Sequence, residues 1–279
     1  MRPATRSLSR ALPVVLAAAG MALAGCGRMP RKPPAERVVL SIYLPCVISA
    51  PMRKVVAAYE TTHPEAEIWT ETDKPLALPD RVQAPHDRPA AVITMGQIEM
   101  QSLVRAGLVA SEDVRDIAVN TYPLVVVAPA EGAAGLHRLA DLGGPRVEHI
   151  YLEDPAQSTL GDRAKRAFEK LGLWEKIAPK LVQFDPRVNV VSQLVDGKAD
   201  AAVVFKECLF AERASPPKTI RLVGELPADA YPAIIYQAAA VQTSPQPDVP
   251  RQFVDFLASP GGREALQRAG LAAAEQHSK

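Results

Sequence analysis

Residues 147–174, VEHIYLEDPAQSTLGDRAKRAFEKLGLW, decide the fold. Val147 to Leu152 is an apolar run of strand length. Glu153-Asp154-Pro155 breaks it as a turn, and a helix follows from about Leu160 to Leu171, stopped by Gly172. Strand, turn and helix in that order form one half of a βαβ unit, and the pattern recurs outward in both directions. Downstream, Val188 to Val195 reads as a helix, and Gly197-Lys198-Ala199-Asp200 turns into a buried strand, Ala201 to Phe205. Upstream, Leu124 to Ala128 is a near-continuous apolar strand.

Towards the N-terminus, Val38 to Leu44 is apolar and rich in β-branched residues. Ser49 is placed to cap a helix with Met52, Val55, Val56 and Tyr59 on one face. Ile68 to Thr70 and Ala90 to Thr94 read as strands, and Gln97 to Ala106 as a helix ended by Gly107. Beyond residue 205 the chain turns at Ser215-Pro216-Pro217 and at 227–232. Strands near Ile220 to Val223 and Ala233 to Val241 follow, then an amphipathic helix pair around Phe253 to Leu257 and Gly262 to Arg268. Alternating strands and helices predict parallel sheets covered on both faces.

Composition narrows the function. The 279 residues carry 32 Lys and Arg against 31 Asp and Glu, a net charge of +1, so the basic excess that a nucleic-acid binder needs is missing. At 48% apolar the chain buries a core, and its 26 prolines, spread between apolar runs, predict short elements joined by rigid turns. Arg2, Arg6 and Arg10 precede an uncharged stretch, Ala11 to Gly25, too short to favour a membrane span and laid out like a bacterial export signal. It ends in Leu23-Ala24-Gly25-Cys26, which resembles a lipoprotein signal in which Cys26 is lipidated. Residues 1–25 are therefore expected to be removed, and 26–36, rich in proline and basic residues, to tether a periplasmic or cell-surface domain to a bacterial membrane.

Several segments carry a family resemblance: NTYPLVVVAP (120–129), DPAQSTLGDRAKRAFEKLGLW (154–174), GKADAAVVF (197–205) and FVDFLASPGGREALQRAG (253–270). Together they resemble the type II periplasmic solute-binding proteins, and in particular the molybdate-binding components of ABC importers. The resemblance implies an α/β fold of two lobes, each a mainly parallel sheet flanked by helices, joined by two crossings. One lobe is expected at 37–122 and 206–279, the other at 123–205. It implies a monomeric receptor, not an enzyme, that closes on a small oxyanion by hinge motion and delivers it to an ABC permease in the inner membrane.

The resemblance also places the ligand residues. Family pockets hold an oxyanion with hydroxyls and with N–H groups at helix N-termini. Ser158, Thr159, Leu160 and Gly161 match that donor set, although Ser158 or Thr159 is equally readable as an ordinary helix cap. Cys46 or Val47, with Ser49 beyond, falls where the family has its first serine. Asp73 or Lys74 falls at the second serine, Val188 or Arg187 at a backbone position, and Phe205 at a tyrosine position. Lys206, Lys74 and Arg163 add cations that also read as solvated surface charges.

Cys46 and Cys208 are left once Cys26 is lipidated. A disulfide, separate burial as small apolar residues, and a soft-metal site are all open for them. His63, His86, His137, His149 and His277 are dispersed, and no nucleophile–base, metal-ligand or cofactor motif is visible. A divergent envelope sensor or interaction module on the same fold, with another ligand or none, stands as the alternative, and a thiol or metal-dependent protein using Cys46 and Cys208 as the remoter one.

Overall fold

The computed structural model describes residues 37–74, 77–84, 88–131, 135–185, 188–209, 218–242 and 248–274. The export signal, the tether and Cys26 lie outside them, as do Arg187 and the turn at 215–217.

The chain begins with β1 (Val38–Pro45), a one-turn 3-10 segment (Cys46–Ile48), α1 (Ser49–Thr62), β2 (Ala66–Asp73), α2 (Leu78–Gln83), β3 (Ala91–Thr94), α3 (Gln97–Arg105) and β4 (Arg115–Val119). It crosses at 120–123 into β5 (Leu124–Pro129), β6 (Ile150–Tyr151), α4 (Thr159–Lys170), α5 (Trp174–Ile177), β7 (Leu181–Val182), α6 (Val190–Val195), β8 (Ala201–Phe205), a short 3-10 segment (Lys206–Leu209) and β9 (Ile220–Glu225). It returns at 226–234 to β10 (Ile235–Ala240), α7 (Asp248–Ala258), α8 (Pro260–Ala269) and β11 (Ala272–Ala273). The first lobe has a six-stranded sheet ordered β11-β4-β10-β3-β1-β2, the second a five-stranded sheet ordered β7-β6-β8-β5-β9.

Two expectations change here. The sheets are mixed: β1 pairs parallel with β2 and β3, and β6 with β7 and β8, but β10 runs antiparallel to β3 and β4, and β5 to β8 and β9. A strand that enters a lobe directly from the other lobe has no preceding crossover helix to set its direction, so it inserts in the reverse sense. The return to the first lobe also comes later than residue 206, because β9 hydrogen-bonds to β5 in the second sheet. Strands β4 and β11 and helix α2, unread in the sequence, complete the first lobe.

The helices form where the apolar spacing put them. Met52, Val55, Val56 and Tyr59 are the buried stripe of α1. Ser158 caps α4, accepting from the Gly161 N–H at 3.3 Å, and Gly172 (φ 66°) lets the chain turn away after it. In the strands, alternation divides two cores: Leu124, Val126 and Ala128 of β5 face one apolar cluster, and Val125 and Val127 another. Both faces are covered, which is why the run reads as continuously apolar.

The α7–α8 corner is tight. A Cβ on Gly262 would stand 1.8 Å from the Phe256 carbonyl oxygen, whereas one on Gly261 would meet nothing closer than 3.9 Å. Gly262→Ala should therefore cost about 3 kcal/mol of stability, and Gly261→Ala, inside the same helix, should be neutral or stabilising by about 0.5 kcal/mol. Urea midpoints of the two variants against the parent protein measure the difference.

Candidate functional site

The N-terminus of α4 packs against α3 of the first lobe, and most of its donors are engaged by the chain's own groups. The Thr159 N–H donates to Oε1 of Glu99 at 2.8 Å and the Thr159 hydroxyl to Oε2 at 2.5 Å. Glu99 stands on α3 of the first lobe and Thr159 on α4 of the second, so this hydrogen-bond pair spans the cleft. Glu99 is 1% exposed and Thr159 1%. Gly96, just before α3, makes the approach possible: a Cβ there would fall 2.4 Å from the Thr159 hydroxyl oxygen.

The remaining amides of the segment are distributed in the same way. Ser158 N–H donates to the Asp154 carbonyl and Gly161 N–H to the Ser158 hydroxyl oxygen. Leu160 is the one of the four whose N–H has no acceptor among the described residues. The Ser158 hydroxyl donates to Oε2 of Glu153. Arg163, one turn along, pairs with Asp162 and lies near enough to Glu99 to favour its ionised form; its buried Nε–H has no acceptor among the described residues.

Two further links cross the cleft. The Lys74 ammonium, after β2, donates to the Val188 carbonyl in front of α6. Beside it, the 3-10 turn that carries Cys46 packs against the one that carries Cys208, near enough for the Cys208 thiol to favour a Cys46 thiolate. Both cysteines are free and solvent-exposed.

These groups titrate abnormally because charge is confined. Burial pushes the Glu99 carboxyl above the usual range, against the Thr159 hydrogen bonds that favour its anion. Burial likewise raises Glu153 to about 7; the Ser158 hydrogen bond opposes it, Glu99 adds to it, and Lys74 opposes it. Lys74 is lowered, chiefly by burial. The Cys208 thiol brings the Cys46 thiol down to about 7, and the same interaction raises Cys208.

Other expected ligand residues fall elsewhere. Ser49 does not cap α1: it is the helix's first residue, after Ile48, and its hydroxyl accepts from Arg53. Val47 (3% exposed) and Phe205 (2%) are core side chains, turned inward because their apolar surface is worth more there than in a wet groove. Lys206 is paired with Glu225 on the second lobe, which occupies its charge. Cys46 and Cys208 are not separately buried: both are exposed, on 3-10 turns of different lobes that pack together. Glu99 and Glu153 went unread; the available signal was a glutamate on the face of α3 that also carries buried Met100 and Leu103. Among the described residues, no group of three or more His, Cys, Asp or Glu side chains is arranged for a metal ion, and no helix is long and apolar enough to cross a membrane.

A profile for bacterial extracellular solute-binding proteins matches residues 40–272. The chain belongs to that family. This solute-binding protein is 26% identical over 175 residues to the putative ABC transporter substrate-binding lipoprotein YvgL of Bacillus subtilis, the match covering 63% of the chain and 64%, just under two thirds, of YvgL. It is 21% identical over 239 residues to the molybdate-binding protein ModA of Haemophilus influenzae, covering 84% and 90%. An aconitate isomerase of a Pseudomonas species is 25% identical over 235 residues, covering 80% and 84%. Among solved structures, the Azotobacter vinelandii periplasmic molybdate-binding protein superposes with a TM-score of 0.56 at 18% identity, over 85% of this chain and all (100%) of that one. The fold is the type II periplasmic binding fold that the sequence segments resembled.

The raised Glu153 makes a pH prediction. Its carboxyl keeps its proton to about 7 in the folded chain but loses it near 4.5 when unfolded, so the folded state binds more protons between those values and stability falls as pH rises through them. Glu99 acts in the same direction. Glu153→Gln should flatten that decline, by at most ~1.4 kcal/mol per pH unit. Urea unfolding at pH 5, 6 and 7 reads it below the range where Cys46, lowered towards 7 from 9.0, contributes with the opposite sign.

Proposed function

We propose that this protein is the extracytoplasmic, lipid-anchored receptor of an ABC importer, and that its interlobe cleft captures a small oxyanion of the molybdate class. The observation that carries the ligand class is the seating of the Glu99 carboxylate on the N–H and hydroxyl of Thr159 at the start of α4. A site that binds its own carboxylate offers the donors an oxyanion needs, with the helix dipole behind them. The incoming anion replaces Glu99 at Thr159 and takes the Leu160 N–H and the buried Arg163 Nε–H as additional donors. Glu153, which holds its proton up to about 7, supplies a hydroxyl donor where the first lobe lacks the family's serines. The relatives named as molybdate-binding proteins and as a transporter lipoprotein support both halves of the reading.

Opening of the hinge releases Glu99 from Thr159, and the anion competes with it on closure. Removing the Glu99 charge removes the competitor. Titration calorimetry with molybdate, tungstate, sulfate, phosphate and a tricarboxylate should therefore give a heat with an oxyanion, and Glu99→Gln should bind that anion about tenfold more tightly, a change of ~1.4 kcal/mol. Thr159→Val should bind it more weakly. The tricarboxylate is included because one relative bears the name aconitate isomerase.

A second reading, an envelope sensor or interaction module without a small anion, has Glu99 in its favour, since the cradle is already filled. Absence of heat from every anion, with the parent protein and with Glu99→Gln alike, selects that reading over the receptor. The anchor is tested separately. Bacterial cells expressing the full chain and fed a labelled fatty acid should yield labelled protein, and Cys26→Ser should yield none.

A further inference from the structure

The two cysteines come from opposite sides of the cleft. Cys46 follows β1 of the first lobe and Cys208 follows β8 of the second, and their 3-10 turns pack together. The packing of the turns brings the two side chains to one place, near enough for the Cys208 thiol to favour a Cys46 thiolate, and both are reached by solvent. With no third ligating side chain to complete a metal site among the described residues, the chemistry left to such a pair is oxidation to a disulfide.

We propose that Cys46 and Cys208 form a reversible disulfide that staples the two lobes together beside their crossings, so that the closed cleft is held by a covalent bond under oxidising conditions. The setting, outside the cytoplasm, rests on the receptor reading; the bond itself does not depend on the ligand. The oxidant is a disulfide of a small thiol or of another protein. The Cys46 thiolate attacks one of its sulfurs, an S–S bond breaks, a thiolate leaves, and a mixed disulfide remains on Cys46. Cys208 then loses its proton to solvent, and its thiolate attacks the Cys46 sulfur and expels the second thiolate. In sum, two protein thiols are oxidised, one disulfide is reduced, and two small thiols result.

Cys46 is suited to the first attack, because the Cys208 thiol makes it a thiolate near neutral pH. Cys208, held protonated, is the resolving partner. Lys74 lies near enough to favour the Cys46 thiolate as well. Glu153 opposes ionisation of Cys208, and Glu207, its neighbour in the same 3-10 turn, does the same, so the order of the two steps is built into the surroundings. The loop that the bond would close, from 46 to 208, is long, which gives the staple a large effect on the unfolded chain.

The experiment uses the full chain carrying Cys26→Ala, so that only the two cleft thiols titrate. It is equilibrated with oxidised and reduced glutathione at a series of ratios, then quenched, and thiols are counted after denaturation. Expected are loss of both thiols together, a mass lower by two hydrogens, a linked peptide containing Cys46 and Cys208, and an unfolding midpoint raised by several degrees and restored by reductant. Cys208→Ser should instead stop at a single glutathione adduct on Cys46. Two thiols that persist under oxidising ratios, or two independent adducts on the parent protein, would overturn the proposal. Neither readout requires a ligand, so a failed anion titration and a failed staple are told apart.

Discussion

The contact between the two lobes of this molecule is organised around one buried carboxylate. Glu99 is withdrawn from water at a cost that no exposed residue bears, and the Thr159 N–H and hydroxyl, with the field at the start of α4, are what offset it. Neither lobe supplies both halves of this interaction. The lobes are thus joined here by polar chemistry between apolar cores, and the buried charge is offset only by donors from the opposite lobe. Gly96 contributes by having no side chain, which is what lets Thr159 approach.

Around that contact the groove collects groups whose protonation is undecided near neutrality. Glu153 and Cys46 are both held near 7, the first from below by burial, the second from above by the Cys208 thiol. Lys74 lies close to each of them and reaches across to the Val188 carbonyl. A change in the charge of one of these groups is therefore felt by the others, which distinguishes this region from one lined only by neutral hydroxyls.

The lobes were legible in the sequence because their strands are apolar on both faces and their helices carry regular buried stripes, as in β5 and α1. Strand direction was not, since nothing in Ile220–Glu225 or Ile235–Ala240 marks the sheet it joins, and only pairing reveals that one closes the second sheet and the other enters the first. At the site, the α4 start was visible from its serine, threonine and glycine, and the two cysteines from their positions after strands. The partner of Thr159 was not, because Glu99 lies 60 residues away on another lobe, and a glutamate beside a helix's apolar face ordinarily points to solvent. Phe205 and Lys206 were placed in the groove by position along the chain, yet the pleat turns one into the core and an ion pair holds the other.

The two connections between the lobes are tied to each other. Asn120 N–H donates to the Ile234 carbonyl and Leu226 N–H to the Leu124 carbonyl, while the Asn120 side chain accepts from Tyr122 N–H and the Tyr236 hydroxyl. Paired crossings that leave the sheets side by side and bond to each other resist sliding, so the two connections form one seam rather than two separate threads. Residues on the facing surfaces of the lobes can therefore change without disturbing the seam, whose bonds lie among the crossings themselves.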